Sequence, residues 1–262
     1  MTFEDIYSVW TVAEALADAA RRETLRLFRS PDLHAESKTA GFDPVTQADR
    51  AAETAMRGIL SKQRPADAIL GEEHGAAAGT SGLTWVLDPI DGTRGFISGT
   101  PTWGVLIALG DAGGPQLGLI DQPYIGERFM GGAGRAEMVG PLGTRPLKTR
   151  STTVLEEATL FSTFPEIGTP DEAHAFRKVA NEVKLVRYGC DCYAYALLAA
   201  GQIDLVIEAG LQPYDIQAPI AVIEAAGGIV TDWEGGPAHN GGRALAAATP
   251  ELHAAAMALL AL

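Results

Sequence analysis

The sequence predicts a mixed α/β (α+β) fold in two tightly packed lobes that divide near residue 150. Three observations carry this expectation. A long stretch of helical periodicity opens the chain, and four apolar runs separated by Gly/Pro-rich turns fill residues 102–139. Beyond Thr149, strand-like and helix-like segments alternate, the pattern of a second α/β lobe. At 262 residues with 47% apolar content, the chain can bury a substantial core.

From about Thr2 to Arg29, Ile6, Trp10, Ala13, Ala17, Ala20 and Leu27 recur at helical spacing, and Ser30-Pro31 ends the run. Thr46-Gln-Ala-Asp49 reads as a capping box that opens a second helix to about Ser61. Ala68-Ile-Leu70 is a short strand running into Gly71-Glu72-Glu73-His74-Gly75, and Val86-Leu87 ends another. Four strands follow at Trp103–Leu109, Gln116–Ile120, Glu127–Met130 and Ala136–Val139. Gly131-Gly-Ala-Gly-Arg135 lacks a Walker lysine and a following helix, so it reads as a hairpin turn. Strands near 158–162, 184–187, 203–207, 229–232 and 245–248 then alternate with helices over 171–182, 192–199 and up to Ala226. Gly227-Gly228 stops the last of these, and Thr249-Pro250 caps a final helix.

Charge and composition narrow the function. Twenty Lys+Arg against 33 Asp+Glu leave a formal charge of −13, without the basic footprint a nucleic-acid partner needs. An anionic substrate therefore requires bound cations to invert the local field. No apolar run reaches the roughly 18 residues of a membrane span. The acidic N-terminus has no signal-peptide pattern, and Cys190 and Cys192 are too close in sequence to staple a fold, so a reduced, cytoplasmic protein is expected, with both thiols buried and inert.

Candidate chemistry centres on Trp85-Val-Leu-Asp88-Pro-Ile-Asp91-Gly-Thr93. Pro89 cannot donate to a ladder, so strand pairing is expected to stop at Asp88. Asp88, Asp91 and the Ile90 carbonyl are hard oxygen donors of the kind magnesium takes. Thr93 opens a turn whose amides suit a phosphate. On these residues alone, an ordinary Asp-Gly turn is the equal alternative. Asp49 reads first as a helix-capping acid, Asp215 as an N-cap, Lys38 as a surface lysine and Glu72-Glu73 as a solvated loop. What sets them apart is that neighbouring strand ends would gather the carboxylates, which then repel one another unless cations intervene.

Gly71-Glu-Glu73, Asp88-Pro-Ile-Asp-Gly-Thr93 and Pro213-Tyr-Asp215, with the helix ending in Ala226-Gly-Gly228, together resemble the inositol monophosphatase superfamily of magnesium-dependent, lithium-sensitive phosphatases. The resemblance implies a layered α-β-α-β-α sandwich, commonly a homodimer, using two or three Mg2+ ions. It implies that Glu72, Asp88, Asp91, Asp215 and the Ile90 carbonyl hold the metals. Thr93, with Glu72 and Asp49, would orient and deprotonate the attacking water, and the amides of Gly92, Thr93 and Arg94 would hold the phosphate. Lys38 stands at the family's usual distance before Asp49.

Longer strings are similar to the histidinol-phosphate phosphatases of that superfamily: Asp91-Gly-Thr-Arg-Gly-Phe-Ile-Ser-Gly99, Gly118-Leu-Ile-Asp-Gln-Pro123, Tyr188-Gly-Cys-Asp-Cys-Tyr-Ala-Tyr195 and Val206–Asp215. Gly95 departs from the serine common in relatives. This likeness implies that Glu208 contacts substrate, a carboxylate suited to an ammonium, with Asp191 as a second candidate. A broader sugar- or inositol-phosphate phosphatase, and a non-catalytic binding module on the same fold, remain as alternatives. The second is disfavoured because every proposed metal carboxylate and Thr93 is present.

Overall fold

The computed structural model describes residues 3–37 and 44–261. Helix α1 (Phe3–Leu27) buries the expected stripe of Trp10, Ala13, Ala17, Ala20 and Leu27. It ends slightly before Arg29, which turns the chain at a φ of 60°. Strands β1 (Ala35–Ser37) and β2 (Pro44–Thr46) pair antiparallel and lead into α2 (Gln47–Gln63). The capping box forms as the sequence pattern suggests: Ala48 N donates to Thr46 Oγ1 at 3.0 Å, and Thr46 N donates to Asp49 Oδ2 at 2.9 Å.

Strands β3 (Ala68–Gly71), β4 (Gly75–Ala77) and β5 (Thr84–Asp91) precede the short helix α3 (Thr93–Ser98). Then come β6 (Gly104–Asp111), β7 (Gly114–Gln122), β8 (Glu127–Gly132), β9 (Arg135–Gly140) and β10 (Gly143–Pro146). They form one sheet of order β10-β9-β8-β7-β6-β5-β3-β4, in which only β3 and β5 run parallel. The glycine-rich 131–135 segment is indeed a hairpin turn, with Gly132 opposite Arg135.

After a 3-10 turn at Leu155–Glu157 come β11 (Thr159–Ser162), α4 (Pro170–Ala180), β12 (Leu185–Tyr188) and α5 (Asp191–Ala199). They are followed by β13 (Leu205–Leu211), α6 (Pro213–Ala225), β14 (Ile229–Thr231), β15 (Gly242–Ala247) and α7 (Pro250–Leu260). The second sheet has order β12-β11-β13-β15-β14, with its first three strands parallel.

Side-chain alternation stacks these elements into α-β-α-β-α layers. Trp85, Leu87, Val105, Ile107 and Leu117 face Leu16 of α1 and Met56 and Leu60 of α2. The other face of the same strands, through Val86, Leu106, Ala108 and Ile120, meets Leu198 of α5 and Ile216 and Val222 of α6. Val206, Val230 and Ala246 of the second sheet close that middle core. Beyond it, Leu160, Leu205 and Leu245 pack on Phe176 of α4 and Leu252 of α7. The strands of the larger sheet thus serve two helical layers at once.

Helix α6 sits flush on the larger sheet because two strand residues opposite it lack side chains. A Cβ at Gly118 would stand 2.2 Å from the Ala218 carbonyl oxygen, and one at Gly131 would stand 2.3 Å from Val222 Cα. Both distances are far inside contact, so no side chain fits there.

Two expectations are corrected. Strand β5 does not stop at Asp88: it pairs as Asp88↔Leu106 and again as Asp91↔Gly104. Three residue steps on β5 match two on β6, so an irregularity of the β-bulge type absorbs Pro89, which has no N–H to donate, and the ladder resumes. Cys192 is buried as expected, but Cys190 is only half-buried, because it caps the start of α5 where the chain turns from the surface.

Candidate active site

The bulge on β5 decides where the acids point. In a regular strand Asp88 and Asp91 would face opposite ways. With the bulge between them, both reach one cleft of about 280 Å3, where Asp215 joins them. Carboxylate oxygens of the three lie within 4.8 Å of one another. Ile90 N donates to Asp88 Oδ1 at 3.0 Å, which fixes that side chain, and Cys192 N at the start of α5 donates to Asp91 Oδ2 at 2.6 Å. Asp215 enters from the first turn of α6, where Pro213 is pre-set for the helix and Gln212 N donates to Asp215 Oδ2 at 2.7 Å. Asp215 is therefore not the N-cap, which is Gln212, but the acid three residues on, whose side chain accepts from the N-cap amide. That role and the cluster role coexist in one carboxylate.

Glu72 follows β3 and lines the same cleft beside Asp88. Burial first, and then the charges of Glu72, Asp91 and Asp215, hold the Asp88 carboxyl well above the usual range. Burial and the charges of Asp191 and Asp215 do the same for Asp91. Four acids packed this way call for a cation. The donors are all oxygen, which fits a hard ion such as magnesium rather than a thiolate- or imidazole-seeking metal. Among the described residues, Asp88, Asp91 and Asp215 are the one set of such side chains close enough to share an ion.

Thr93 stands at the cleft's rim where α3 begins. Its Oγ1 lies 3.1 Å from the Ile90 carbonyl oxygen and 3.5 Å from Asp49 Oδ1. One hydroxyl proton can serve only one of these acceptors at a time. Asp49 Oδ2 is already committed to Thr46, whose Oγ1 donates at 2.6 Å. Burial lifts Asp49 to a pKa of about 7, against the lowering effect of the Thr46 hydrogen bonds and with help from the charges of Glu72 and Glu73. An acid with that pKa, one hydrogen bond from a threonine hydroxyl, can exchange a proton near neutrality. Asp49 thus caps α2 through one oxygen and faces the Thr93 hydroxyl with the other.

Arg94 and Asp191 also line the cleft. Burial raises Asp191 to a pKa of about 6, and the Arg94 charge opposes that rise. Glu208 lies deeper, behind the wall. It is 6% exposed, and its Oε1 accepts from Thr163 N at 2.6 Å and Thr163 Oγ1 at 2.9 Å. Burial pushes it to about 7, against those hydrogen bonds. Tyr195, behind the acids, has a buried hydroxyl with no hydrogen-bond partner among the described residues. Lys38 lies outside the described residues.

Sequence reasoning passed over Phe164. It lines the cleft just beyond the carboxyl end of β11, with the Arg94 guanidinium 4.9 Å over its ring. The available signal was positional: ligand sites in α/β sheets gather at the carboxyl ends of parallel strands.

A family model described as the inositol monophosphatase family matches residues 5–261. A chloroplastic bifunctional phosphatase of Arabidopsis thaliana, IMPL2, is 46% identical over 226 residues, covering 86% of this chain and 64% of that protein. The chain therefore spans slightly less than two thirds of that relative. A histidinol-phosphatase of Mycobacterium tuberculosis is 36% identical over 238 residues, covering 90% and 91% of the two chains. Among solved structures, an inositol monophosphatase from Zymomonas mobilis superposes with a TM-score of 0.85 at 39% identity, covering 99% of this chain and 98% of that one. Among the described residues, no helix is long and apolar enough to cross a membrane.

Proposed function

The chain belongs to the inositol monophosphatase family, and from that premise we propose that it is a magnesium-dependent phosphomonoesterase acting on L-histidinol phosphate to release L-histidinol and phosphate. The observation that carries the chemistry is the meeting of Asp88, Asp91 and Asp215 within 4.8 Å in the cleft that Thr93 borders. Asp88, Asp91, Asp215, Glu72 and the Ile90 carbonyl would hold two or three magnesium ions. When bound, such ions acidify water and neutralise phosphate charge.

The chain's own residues do the rest. Thr93 Oγ1 orients the attacking water and passes a proton toward Asp49 Oδ1, the oxygen that Thr46 leaves available. Glu72, in the wall of the same cleft, helps to orient the same water. The backbone amides of Gly92, Thr93 and Arg94 receive the phosphate oxygens, with the Arg94 guanidinium beside them. Water is kept from the cluster's back by the middle core, into which Ile216 and Leu106 are fully buried.

For the leaving group, one carboxylate in the cleft wall and one buried behind it support an amine-bearing substrate. Asp191 lines the cleft, and Glu208 stands behind Thr163. The name of the Mycobacterium tuberculosis relative supports the same choice. An inositol 1-phosphatase is the second reading, favoured by the 39% identity to the Zymomonas mobilis enzyme. A homodimer in the cytoplasm, inhibited by lithium, is the accompanying expectation.

The test is phosphate release with Mg2+ from L-histidinol phosphate and myo-inositol 1-phosphate side by side, with an EDTA control. A large preference for the first, abolished by EDTA, is expected. Preference for inositol 1-phosphate would transfer the assignment to the second reading. Activity on neither would overturn both.

A further inference from the structure

The turn that carries Glu72 is held from outside its own hairpin. Strands β3 and β4 pair as far as Gly71↔Gly75, which leaves Glu72, Glu73 and His74 to reverse the chain. All three of their amides have a partner. Glu72 N donates to the Leu87 carbonyl at 3.2 Å, which ties the turn to β5. Glu73 N donates to Glu53 Oε2 at 2.7 Å, and His74 N donates to Glu53 Oε1 at 3.2 Å. One fully buried side chain of α2 thus holds two successive amides of the turn.

A carboxylate taken out of water needs a counter-charge. Arg57, one helical turn further along α2, supplies it. Its Nε donates to Glu53 Oε1 at 2.7 Å, and its guanidinium also donates to the Gly75 carbonyl. Glu53 and Arg57 therefore grip the turn by its amides and by its far carbonyl. Gly71, which opens the Gly-Glu-Glu motif, is bare for the same reason. A Cβ there would stand 2.0 Å from Glu53 Oε1 and 2.9 Å from an Arg57 guanidinium nitrogen. Glu53 cannot swing aside without giving up its bonds to Glu73, His74 and Arg57.

Asp49 lies four residues before Glu53, on the same side of α2. Its Oδ1 faces the Thr93 hydroxyl at 3.5 Å. The helix thus presents a proton acceptor at one turn and the support for Glu72 at the next. Glu72 lines the cleft with Asp88 but is not among the three acids that lie within 4.8 Å of one another. Its reach toward a cation is set by the turn that bears it. Glu72 helps to hold magnesium in the reading proposed above, on which this inference rests.

We infer that Glu53 is a positioning residue for metal binding: from α2 it fixes the 72–74 turn so that Glu72 is presented to the cation in step with Asp49. Glu53 itself lines no part of the cleft.

The test compares the parent with two variants, each well below its melting temperature. Glu53→Gln keeps the volume and one acceptor oxygen, but its amide nitrogen carries hydrogens where a turn N–H needs a lone pair. Gly71→Ala leaves every charge in place and drives a methyl group into the Glu53 carboxylate. Calorimetric Mg2+ binding without substrate should weaken about 10–100-fold in both, as when other groups that orient metal ligands are lost. Amide exchange read by mass spectrometry should show residues 72–75 protected in the parent, more so with Mg2+, and released in Glu53→Gln with α1 unchanged. On whichever of the two esters above the parent hydrolyses, the Mg2+ activation constant should rise, and excess Mg2+ should restore most of kcat with KM for the ester little moved. A merely structural role would lower the melting temperature and leave Mg2+ affinity at the parent's value.

Asp88→Asn separates the two levels of the argument. Loss of Mg2+ binding in Asp88→Asn, with affinity unmoved in Glu53→Gln and Gly71→Ala, would overturn the role of Glu53 and leave the metal reading standing. A parent that binds no Mg2+, or binds it equally well as Asp88→Asn, would overturn both. The parent's own exchange needs no variant. Amides of Glu73 and His74 that exchange as fast as in an unstructured peptide, or at a rate Mg2+ does not alter, would overturn the role of Glu53.

Discussion

Replacing Glu208 with glutamine removes a charge that the fold holds out of water, and its effect can be worked from the structure. Glu208 is 6% exposed, and burial lifts its pKa from 4.5 to about 7. A carboxyl whose folded pKa lies above its unfolded value stabilises the fold fully below the unfolded value. That stabilisation is lost as pH rises through the folded value. The window here runs from 4.5 to about 7. Above it, the ionised carboxylate costs about 3 kcal/mol, since each tenfold change in proton affinity is worth roughly 1.4 kcal/mol. Glutamine does not titrate, and its oxygen can still accept from Thr163 N.

In EDTA, the parent and Glu208→Gln should therefore melt together near about pH 5, and the variant should melt roughly 6 °C higher near about pH 8.5. Scanning calorimetry across that range is the assay. Parallel curves, or a variant that melts lower at alkaline pH, would refute the account of Glu208 as a carboxylate destabilised by burial. The kinetic arm separates stability from recognition. KM for L-histidinol phosphate should rise about tenfold as a charge-assisted bond is lost, while KM for myo-inositol 1-phosphate changes little. Equal rises on both substrates would remove Glu208 from amine recognition.

Asp88→Asn should abolish phosphate release. It should also erase the rise in melting temperature that Mg2+ gives the parent, roughly 6 °C at a hundredfold excess over Kd; an unchanged Mg2+ shift would exclude Asp88 from the metal site. Thr93→Ala should lower kcat on the order of a hundredfold with KM nearly constant, in steady-state assays, because a positioned proton path is lost; a change confined to KM would make Thr93 a binding residue only. Asp121 is fully buried and accepts from Arg21 and Arg128 at 2.6–3.0 Å. Asp121→Asn should cost about 3 kcal/mol in denaturant unfolding, since Arg21 loses its counter-charge and Arg128 keeps only Asp18; a loss under about 1 kcal/mol would mean that solvent already screens them. Tyr195→Phe, which deletes a buried hydroxyl without a partner among the described residues, should stabilise the protein by about 1 kcal/mol or leave it unchanged. A clear fall in melting temperature would reveal an ordered water on that hydroxyl.

Much of this architecture is legible in the sequence, because burying one face of a helix writes a stripe and burying both faces of a strand writes an unbroken apolar run. The helical stripe from Trp10 to Leu27 and the core strands around Val86, Leu106 and Leu119 declare themselves in that way. Strands β4 and β10 do not. Every residue in them is exposed, so no alternation marks them. The acids at 88, 91 and 215 stand out by residue type and spacing, but their convergence depends on a bulge that no local pattern announces. Phe164 stayed hidden for a related reason. Its place in the cleft wall depends on a contact with Arg94, about 70 positions away in the sequence.

The bare backbone at Gly118 and Gly131 acts as a caliper. Asp215 rides on α6, while Asp88 and Asp91 ride on the sheet beneath it, so the gap between helix and sheet sets the span that one ion must bridge. A methyl group added at either glycine would act as a shim, lifting the helix and drawing its carboxylate away from the other two. In the proposed reading, cation affinity would then be tuned from within two strands, at positions that line no part of the cleft. A screen for altered metal preference would do well to begin there, as well as among the acids themselves.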